Sequence, residues 1–124
     1  MEEADVVRRY WEHLWAETDV SLVDELFAEP YVRHNRNGTE CVPLAQLKDT
    51  FVRYWASFGA APEVRIDDLA VNGNCVWSRV TVRGWDMESG EARVVTFFHE
   101  ARLVDRRIVE TWSLAAPEVD WSPA

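Results

Sequence analysis

The chain has 124 residues, 48% of them hydrophobic, which is the size of one ordinary domain with enough apolar side chains to bury a core. A formal charge of −9, from 13 basic and 22 acidic residues, argues against nucleic-acid and anionic-membrane partners, which require clustered positive charge. No apolar run approaches the roughly 20 residues that span a bilayer, and the acidic N-terminus does not resemble a signal peptide, so we expect one cytoplasmic domain over residues 1–124.

Two amphipathic helices are predicted at the start of the chain. From Glu3 to Ala16 the apolar residues recur at three- and four-residue spacing, which is typical of a helix with one buried face. Asp19 or Ser21 can cap a short second helix, because their side-chain oxygens can accept from the free amides of its first turn. We expect Pro30 to end that helix.

A short strand and a third helix follow. The segment YVRHN, residues 31–35, favours a strand that runs into the turn-rich NRNG. Pro43 suits the first turn of a helix, because its missing N–H would have no partner there. Apolar residues at helical spacing continue to Gly59, where we expect the helix to stop.

After Pro62 the apolar period changes to two, which predicts strands. Four strands joined by short connections are indicated by EVRIDDLAV, CVWSRVTVRGW, ARVVTFFHEARLV and RRIVETWSL. Residues 115–124 are expected to form an irregular tail. The helices can bury their apolar faces only by packing on one face of the sheet. We therefore predict an α+β cone, with three N-terminal helices on a strongly curved mixed or antiparallel sheet around one apolar pocket.

The order of these segments resembles a known family. VVRRYWEHLW, DVSLVDELFAEPYVRHN, IDDLAVNGNCVWSRVTVRGW and FFHEARLVDRRIVETWSL are similar to the SnoaL-like polyketide cyclases of the nuclear-transport-factor-2-like superfamily. This resemblance implies the cystatin-like roll of that superfamily. Its members include cyclases, ketosteroid isomerases, epoxide hydrolases, dehydratases and non-enzymatic proteins.

The resemblance also identifies departures from two catalytic patterns. His99 matches the strand histidine of the cyclases, but Ser113 follows Trp112 where those enzymes have an aspartate. Arg79 matches the arginine of limonene-epoxide-hydrolase-like enzymes, but Thr81 stands where their aspartate would be. The family pattern thus implies the scaffold more strongly than either reaction.

Four residues are candidates for catalysis. His99 would serve as base or acid, because burial among aromatic rings favours a neutral imidazole. His34 or Asp86 would be its counterpart, with the pKa of Asp86 raised at a poorly hydrated rim. Arg79 would stabilise developing negative charge through its rigid donor fork. Each has a structural alternative. His99 would be a core histidine with its hydrogen bonds satisfied, and His34 a polar residue that faces solvent. Asp86 would cap a turn, and Arg79 would form an ion pair on the outer face.

Aromatic residues dominate the predicted substrate-binding set. Seven tryptophans are a large aromatic content for this length and suit a flat apolar ligand. The predicted set is Tyr10, Trp11, Trp15, Asn35, Trp55, Trp77, Phe97 and Ser113. The sequence leaves open which face of this strand lines the pocket. The two alternatives are the face of Trp77 and Arg79 and the opposite, valine-rich face.

Three functions remain open from the sequence. The first is an enzyme, without a metal or organic cofactor, that cyclises, isomerises or dehydrates an apolar carbonyl compound. The second is a non-catalytic protein that binds a small apolar molecule, and a third alternative is an epoxide-hydrolase-like enzyme that activates water. We also expect a homodimer through the outer sheet face, which would carry Val94, Phe98, Ile108 and Trp112 if His99 and Ser113 face inward.

Overall fold

Three helical segments precede or interrupt the strands in a computed structural model that describes residues 2–59 and 62–122. Helix α1 spans Glu3–Arg9 and continues without a break as a π-helix over Tyr10–Trp15, so the predicted first helix has a wider final part. Helix α2 spans Leu22–Leu26 and helix α3 spans Leu44–Ala56, with Pro43 at the N-cap position of α3. No helix in the described ranges is both long and apolar enough to cross a bilayer.

Within the described residues, six strands form one mixed sheet. They are β1 (Phe27–Asn35), β2 (Gly38–Cys41), β3 (Glu63–Asn72), β4 (Cys75–Trp85), β5 (Ala92–Val104) and β6 (Arg107–Pro117). The spatial order is β2-β1-β6-β5-β4-β3, and every neighbouring pair is antiparallel except β1 and β6, which are parallel. All three helices pack on one face of this sheet, here called the inner face, which confirms the predicted α+β architecture.

Several element boundaries differ from the sequence prediction. Helix α3 ends at Ala56, three residues before the expected stop at Gly59. Helix α2 ends at Leu26, and Pro30 lies inside β1 rather than at the helix end. The NRNG segment does not end the sheet, because residues after it return as the edge strand β2. Strand β6 extends to Pro117, so the first three residues of the predicted irregular tail pair with β5.

The core lies between the helices and the inner face. Trp11, Leu14, Phe27 and Val80 are among its fully buried members. Most of its strand residues come from alternate positions, as a sheet with one buried face requires. Gly84 lets the end of α3 approach β4, since a Cβ there would lie 2.3 Å from the carbonyl oxygen of Phe58.

Residues 118–122 fold back over the opposite, outer face of the sheet. The hydroxyl of Thr96 donates to the carbonyl of Val119 at 2.7 Å, and Arg83 forms an ion pair with Asp120 at 2.8 Å. Trp121 meets Phe98 edge to face with ring centroids 5.7 Å apart. The segment that follows β6 is therefore attached to the sheet by polar and aromatic contacts.

Candidate active site

A cavity of about 360 Å³ lies between the helices and the inner face of the sheet. Its volume is at the lower end of the range of small-molecule sites. Its lining residues are Tyr10, Trp11, Trp15, Tyr31, Arg33, Asn35, Arg36, Asn37, Leu47, Thr50, Phe51, Tyr54, Phe97, His99, Thr111, Ser113 and Ala115. Most of the interior is aromatic, so the cavity suits a small, largely apolar ligand.

His99 projects from β5 into this cavity between two aromatic rings. It is only 4% exposed, lies nearly parallel to the Tyr10 ring, and meets Trp11 edge to face. Burial lowers the pKa of its imidazole to about 4, because the charged form would lose its hydration. Its Nδ1 is buried without a partner in the described part of the chain, whereas Nε2 is not among the buried atoms that lack one. His99 is therefore a neutral ring at physiological pH.

Small hydroxyl residues flank His99 on the two neighbouring strands. Ser78 of β4 and Ser113 of β6 both lie opposite it in the strand register, so the three form a row on the inner face. The indole N–H of Trp11 donates to Ser78 Oγ at 3.2 Å, which fixes Trp11 against the sheet. Ser113 lines the cavity together with His99.

A buried pair of hydroxyls lies on the adjacent part of the inner face. The oxygens of Tyr31 on β1 and Thr111 on β6 are 2.5 Å apart, and both residues line the cavity. Burial raises the pKa of Tyr31 to about 12, so its phenol stays neutral well above pH 7. A neutral phenol that accepts from one hydroxyl can donate its own proton to an oxygen of a ligand.

The rim of the cavity is polar and basic. Arg33 and Asn35 follow Tyr31 at alternate positions of β1, while Arg36 and Asn37 occupy the exposed turn before β2. Arg33 is ion-paired with Glu40 across the β1–β2 pair. Among the described residues that line the cavity, none is an aspartate or glutamate.

The structure does not bring His34 to His99. Strand parity places His34 on the outer face, where its ring stacks on Trp112 with centroids 5.0 Å apart. Its Nε2 lies 2.6 Å from Glu110 and its Nδ1 lies 2.8 Å from the hydroxyl of Thr39. Both ring nitrogens are thus occupied, so His34 is not available as the counterpart of His99 inside the cavity.

Arg79 and Trp77 also lie on the outer face. Buried Val76, Ser78 and Val80 show that the opposite parity of β4 faces the core, while Trp77 is 51% exposed. Thr81 shares the outward parity and donates to the carboxylate of Asp67 at 2.5 Å. The arginine-and-aspartate positions of the epoxide-hydrolase pattern therefore point away from the cavity, and the sequence interpretation is corrected on this point.

Asp86 and Trp55 lie outside the cavity as well. Oδ1 of Asp86 accepts from the backbone N–H groups of Glu88 and Ser89, so it caps the turn after β4. Those bonds, led by Ser89, lower the pKa of Asp86, which is opposite to the predicted rise. Trp55 is buried in the core behind the cavity, stacked on Phe51.

The cavity includes residues that the sequence interpretation missed. Tyr31 and Arg33 share the alternate positions of β1 with Asn35, so the parity of one predicted strand would have placed them together and separated them from His34. Thr111 precedes Ser113 by two residues and has the same parity. Tyr54 could not be predicted in this way, because helical spacing alone does not distinguish it from the solvent-exposed residues of α3.

No cluster of metal-binding side chains occurs in residues 2–59 and 62–122.

Comparisons with known proteins agree with this architecture. A model of the SnoaL-like domain matches residues 7–111. No curated protein sequence matches the chain. The structure of IdmH from Streptomyces antibioticus shares 20% identity, with 93% of this chain and 92% of that chain covered and a TM-score of 0.77.

Two further solved structures have the same fold. A SnoaL-like polyketide cyclase from Agrobacterium tumefaciens is 11% identical, with 94% of this chain and 92% of that chain covered and a TM-score of 0.78. A protein of ketosteroid-isomerase-like fold from Catenulispora acidiphila, in complex with trimethylamine, is 17% identical, with 87% and 82% covered and a TM-score of 0.74. At these identities the structural similarity establishes the fold alone. The match over residues 7–111 establishes more: the chain belongs to the SnoaL-like domain family.

Proposed function

We propose that this chain is a cofactor-independent enzyme that moves a proton on a small apolar carbonyl compound, with His99 as the base. The observation that carries the proposal is the position of His99, a buried neutral imidazole that lines an aromatic cavity of about 360 Å³. A positioned base of this kind contributes typically 10²–10⁴-fold to a rate. Cyclisation, isomerisation and dehydration all begin with such a proton transfer.

The proposed first step is removal of a proton from the carbon next to the carbonyl group. Nε2 of neutral His99 takes the proton and becomes an imidazolium, while the electron pair of the C–H bond moves to the carbonyl oxygen as an enolate. The hydroxyl pair of Tyr31 and Thr111, whose oxygens are 2.5 Å apart, supplies a neutral donor for that oxygen. Such donors act strongly where water is excluded.

The fate of the enolate distinguishes the possible reactions. Return of the proton from His99 to a different carbon gives an isomer. Attack of the enolate on a second carbonyl closes a ring and leaves an alkoxide, which takes the proton from His99. Departure of a β-hydroxyl group with that proton, as water, gives the dehydrated product. Ser113 lies opposite His99 and would contact the same region of the ligand. None of these steps requires the aspartate that the cyclase pattern has at position 113.

Hydrogen–deuterium exchange can test the first step without knowledge of the natural substrate. The probe is 2-tetralone, an apolar bicyclic ketone, in D₂O, with loss of its α-proton signals followed by NMR. Wild-type protein should accelerate the exchange, and His99→Gln should lose about 10²–10⁴-fold of that acceleration. The matched control is His34→Gln, which removes the histidine on the outer face and should leave the exchange rate unchanged. Equal rates for wild type and His99→Gln would contradict the assignment of His99.

One observation favours a second candidate function, a protein that binds the ligand without transforming it. A histidine base is commonly oriented by an acceptor for its other N–H, and Nδ1 of His99 has no partner among the described residues. No carboxylate among the described lining residues compensates for this. If 2-tetralone binds in a calorimetric titration but its protons do not exchange faster, this second function replaces the first.

A further inference from the structure

The distribution of charge within the cavity indicates what kind of ligand it accepts. Its interior residues are aromatic and buried, whereas Arg33, Asn35, Arg36 and Asn37 form the rim. All four rim side chains carry N–H donors. Because no described lining residue is acidic, a negative group at the rim would meet donors and no like charge within the cavity.

Arg33 retains hydrogen-bonding capacity despite its ion pair. Its Nη2 contacts Glu40 and its Nε is buried, whereas Nη1 makes no hydrogen bond among the described residues and remains a free donor. A guanidinium has five N–H donors in a planar fork that matches the two oxygens of a carboxylate. The side chain is 19% exposed, so it is held at the boundary between the cavity and solvent.

The neighbouring amide has a defined orientation. Oδ1 of Asn35 accepts from the backbone N–H of Asn37 at 2.9 Å, so the acceptor end of the side chain is occupied. The NH₂ group of Asn35 makes no hydrogen bond among the described residues, and Asn35 lines the cavity. Arg36 is exposed beside it and adds positive charge for which no ion pair occurs among the described residues.

The strand order sets the separation between the rim and His99. Strand β6 lies between β1, which carries Arg33 and Asn35, and β5, which carries His99. Neighbouring strands are about 4.8 Å apart, so the two groups stand on backbones roughly 10 Å apart. A ligand that reaches both must span this separation, and the aromatic lining of the cavity favours a flat ring system for that span.

We propose that the natural ligand is an aromatic or polycyclic carboxylate, whose anionic group is held at the rim by Arg33, Arg36 and Asn35 while its ring system extends toward His99. This inference rests on the proposed function for the position of the ring beside His99. It adds the identity of the charged group and the residues that recognise it.

Calorimetric titration with three probes of the same ring size tests the inference. The probes are 2-naphthoate, its neutral methyl ester and the cation 2-naphthyltrimethylammonium. Wild-type protein should bind 2-naphthoate at least about tenfold more tightly than the ester, since one well-placed charge-assisted hydrogen bond is worth that much. Added sodium chloride should weaken binding of the naphthoate and not of the ester.

Variants of the rim arginines locate the effect. Arg33→Gln should weaken naphthoate binding about tenfold and change ester binding by less than about twofold, and Arg36→Gln should do the same to a smaller degree. The matched control is Arg53→Gln, an exposed arginine on α3 that does not line the cavity. Arg36 is exposed, so its variant tests the rim even if Arg33→Gln does not fold.

Three results would overturn the inference. They are equal or tighter binding of the ester, tightest binding of the cation, and absence of binding by all three probes. Tight ester binding would leave the proposed function intact, because that function is tested by α-proton exchange of a neutral ketone. Conversely, selective naphthoate binding without exchange would support the rim site and remove the enzymatic assignment.

Discussion

The imidazole of His99 and the phenol ring of Tyr10 are stacked, with centroids 5.3 Å apart and an interplanar angle of 19°. Tyr10 belongs to the π-helical part of the first helix and His99 to β5, so the contact joins the helical layer to the sheet. The stack holds the imidazole by its faces rather than by a hydrogen bond, because Nδ1 has no partner among the described residues. The ring is therefore positioned by packing and remains uncharged.

Replacing His99 with phenylalanine should increase the stability of the protein. His99→Phe retains a flat ring beside Tyr10 and removes the unpaired buried nitrogen, so we expect the free energy of unfolding at pH 7 to rise by about 1 kcal/mol. Urea denaturation gives this value. The matched control is His34→Phe, which loses hydrogen bonds to Glu110 and Thr39 and should be destabilised. A large loss of stability in His99→Phe would show that His99 has a partner.

The depressed pKa of His99 predicts a loss of stability in acid. Folding lowers this pKa from 6.5 to about 4, so the unfolded chain binds more protons than the folded one between those values. Stability is then complete above about pH 6.5 and falls as the pH is lowered toward 4, by about 3 kcal/mol in total. Urea midpoints of wild type and His99→Phe at several pH values isolate this contribution, because other groups titrate in both proteins. Parallel pH profiles would contradict it.

Loss of the Tyr31 hydroxyl should slow the proposed proton transfer. Tyr31→Phe removes the neutral donor next to Thr111, and loss of one donor to a developing oxyanion costs about 100-fold or more. The exchange of 2-tetralone protons measures the effect. Tyr54→Phe is the matched control, since Tyr54 lines the cavity at its exposed side and makes no hydrogen bond through its hydroxyl among those found in the described residues. Similar rates for both variants would exclude Tyr31 as the donor.

Much of the fold could be predicted from the sequence because its determinants are local. The change in apolar period after Pro62 marks the start of the strand region, and the apolar spacing before Ala16 marks the first helix. The π-helical turn over Tyr10–Trp15 could not be predicted, because it depends on how Trp11 and Trp15 pack against the sheet. Strand β2 is short and exposed, so it has no apolar pattern to reveal it.

The candidate site was only partly predictable, for a reason that concerns strand parity. Apolar Val76 and Val80 face inward on β4, whereas the side chains with functional groups at alternate positions, Trp77 and Arg79, face outward. The pairing of β5 with β6 shifts register between Arg102 and Leu103, which reverses the inward and outward alternation of side chains at the start of β6. Ile108 is therefore buried in the core and not on the outer face as predicted. Such irregularities arise from pairing between strands and have no signature in one segment.

The remaining outward-facing apolar residues lead to the last prediction, that the chain forms a homodimer through the outer face. Phe98 of β5 and Leu114 of β6 are register partners and are 47% and 63% exposed. Arg79 of β4 lies opposite Phe98 on its other side. We propose that a second copy covers this patch, because a two-fold interface on a sheet buries the same apolar residues from both copies. Leu114→Glu should shift the protein to monomers in sedimentation velocity at micromolar concentration, since it places charge in the centre of the interface. Val52→Glu, at a residue 53% exposed on α3, should leave the dimer intact. A wild-type protein that sediments only as a monomer would refute the interface, and dissociation by both variants would show that it lies elsewhere.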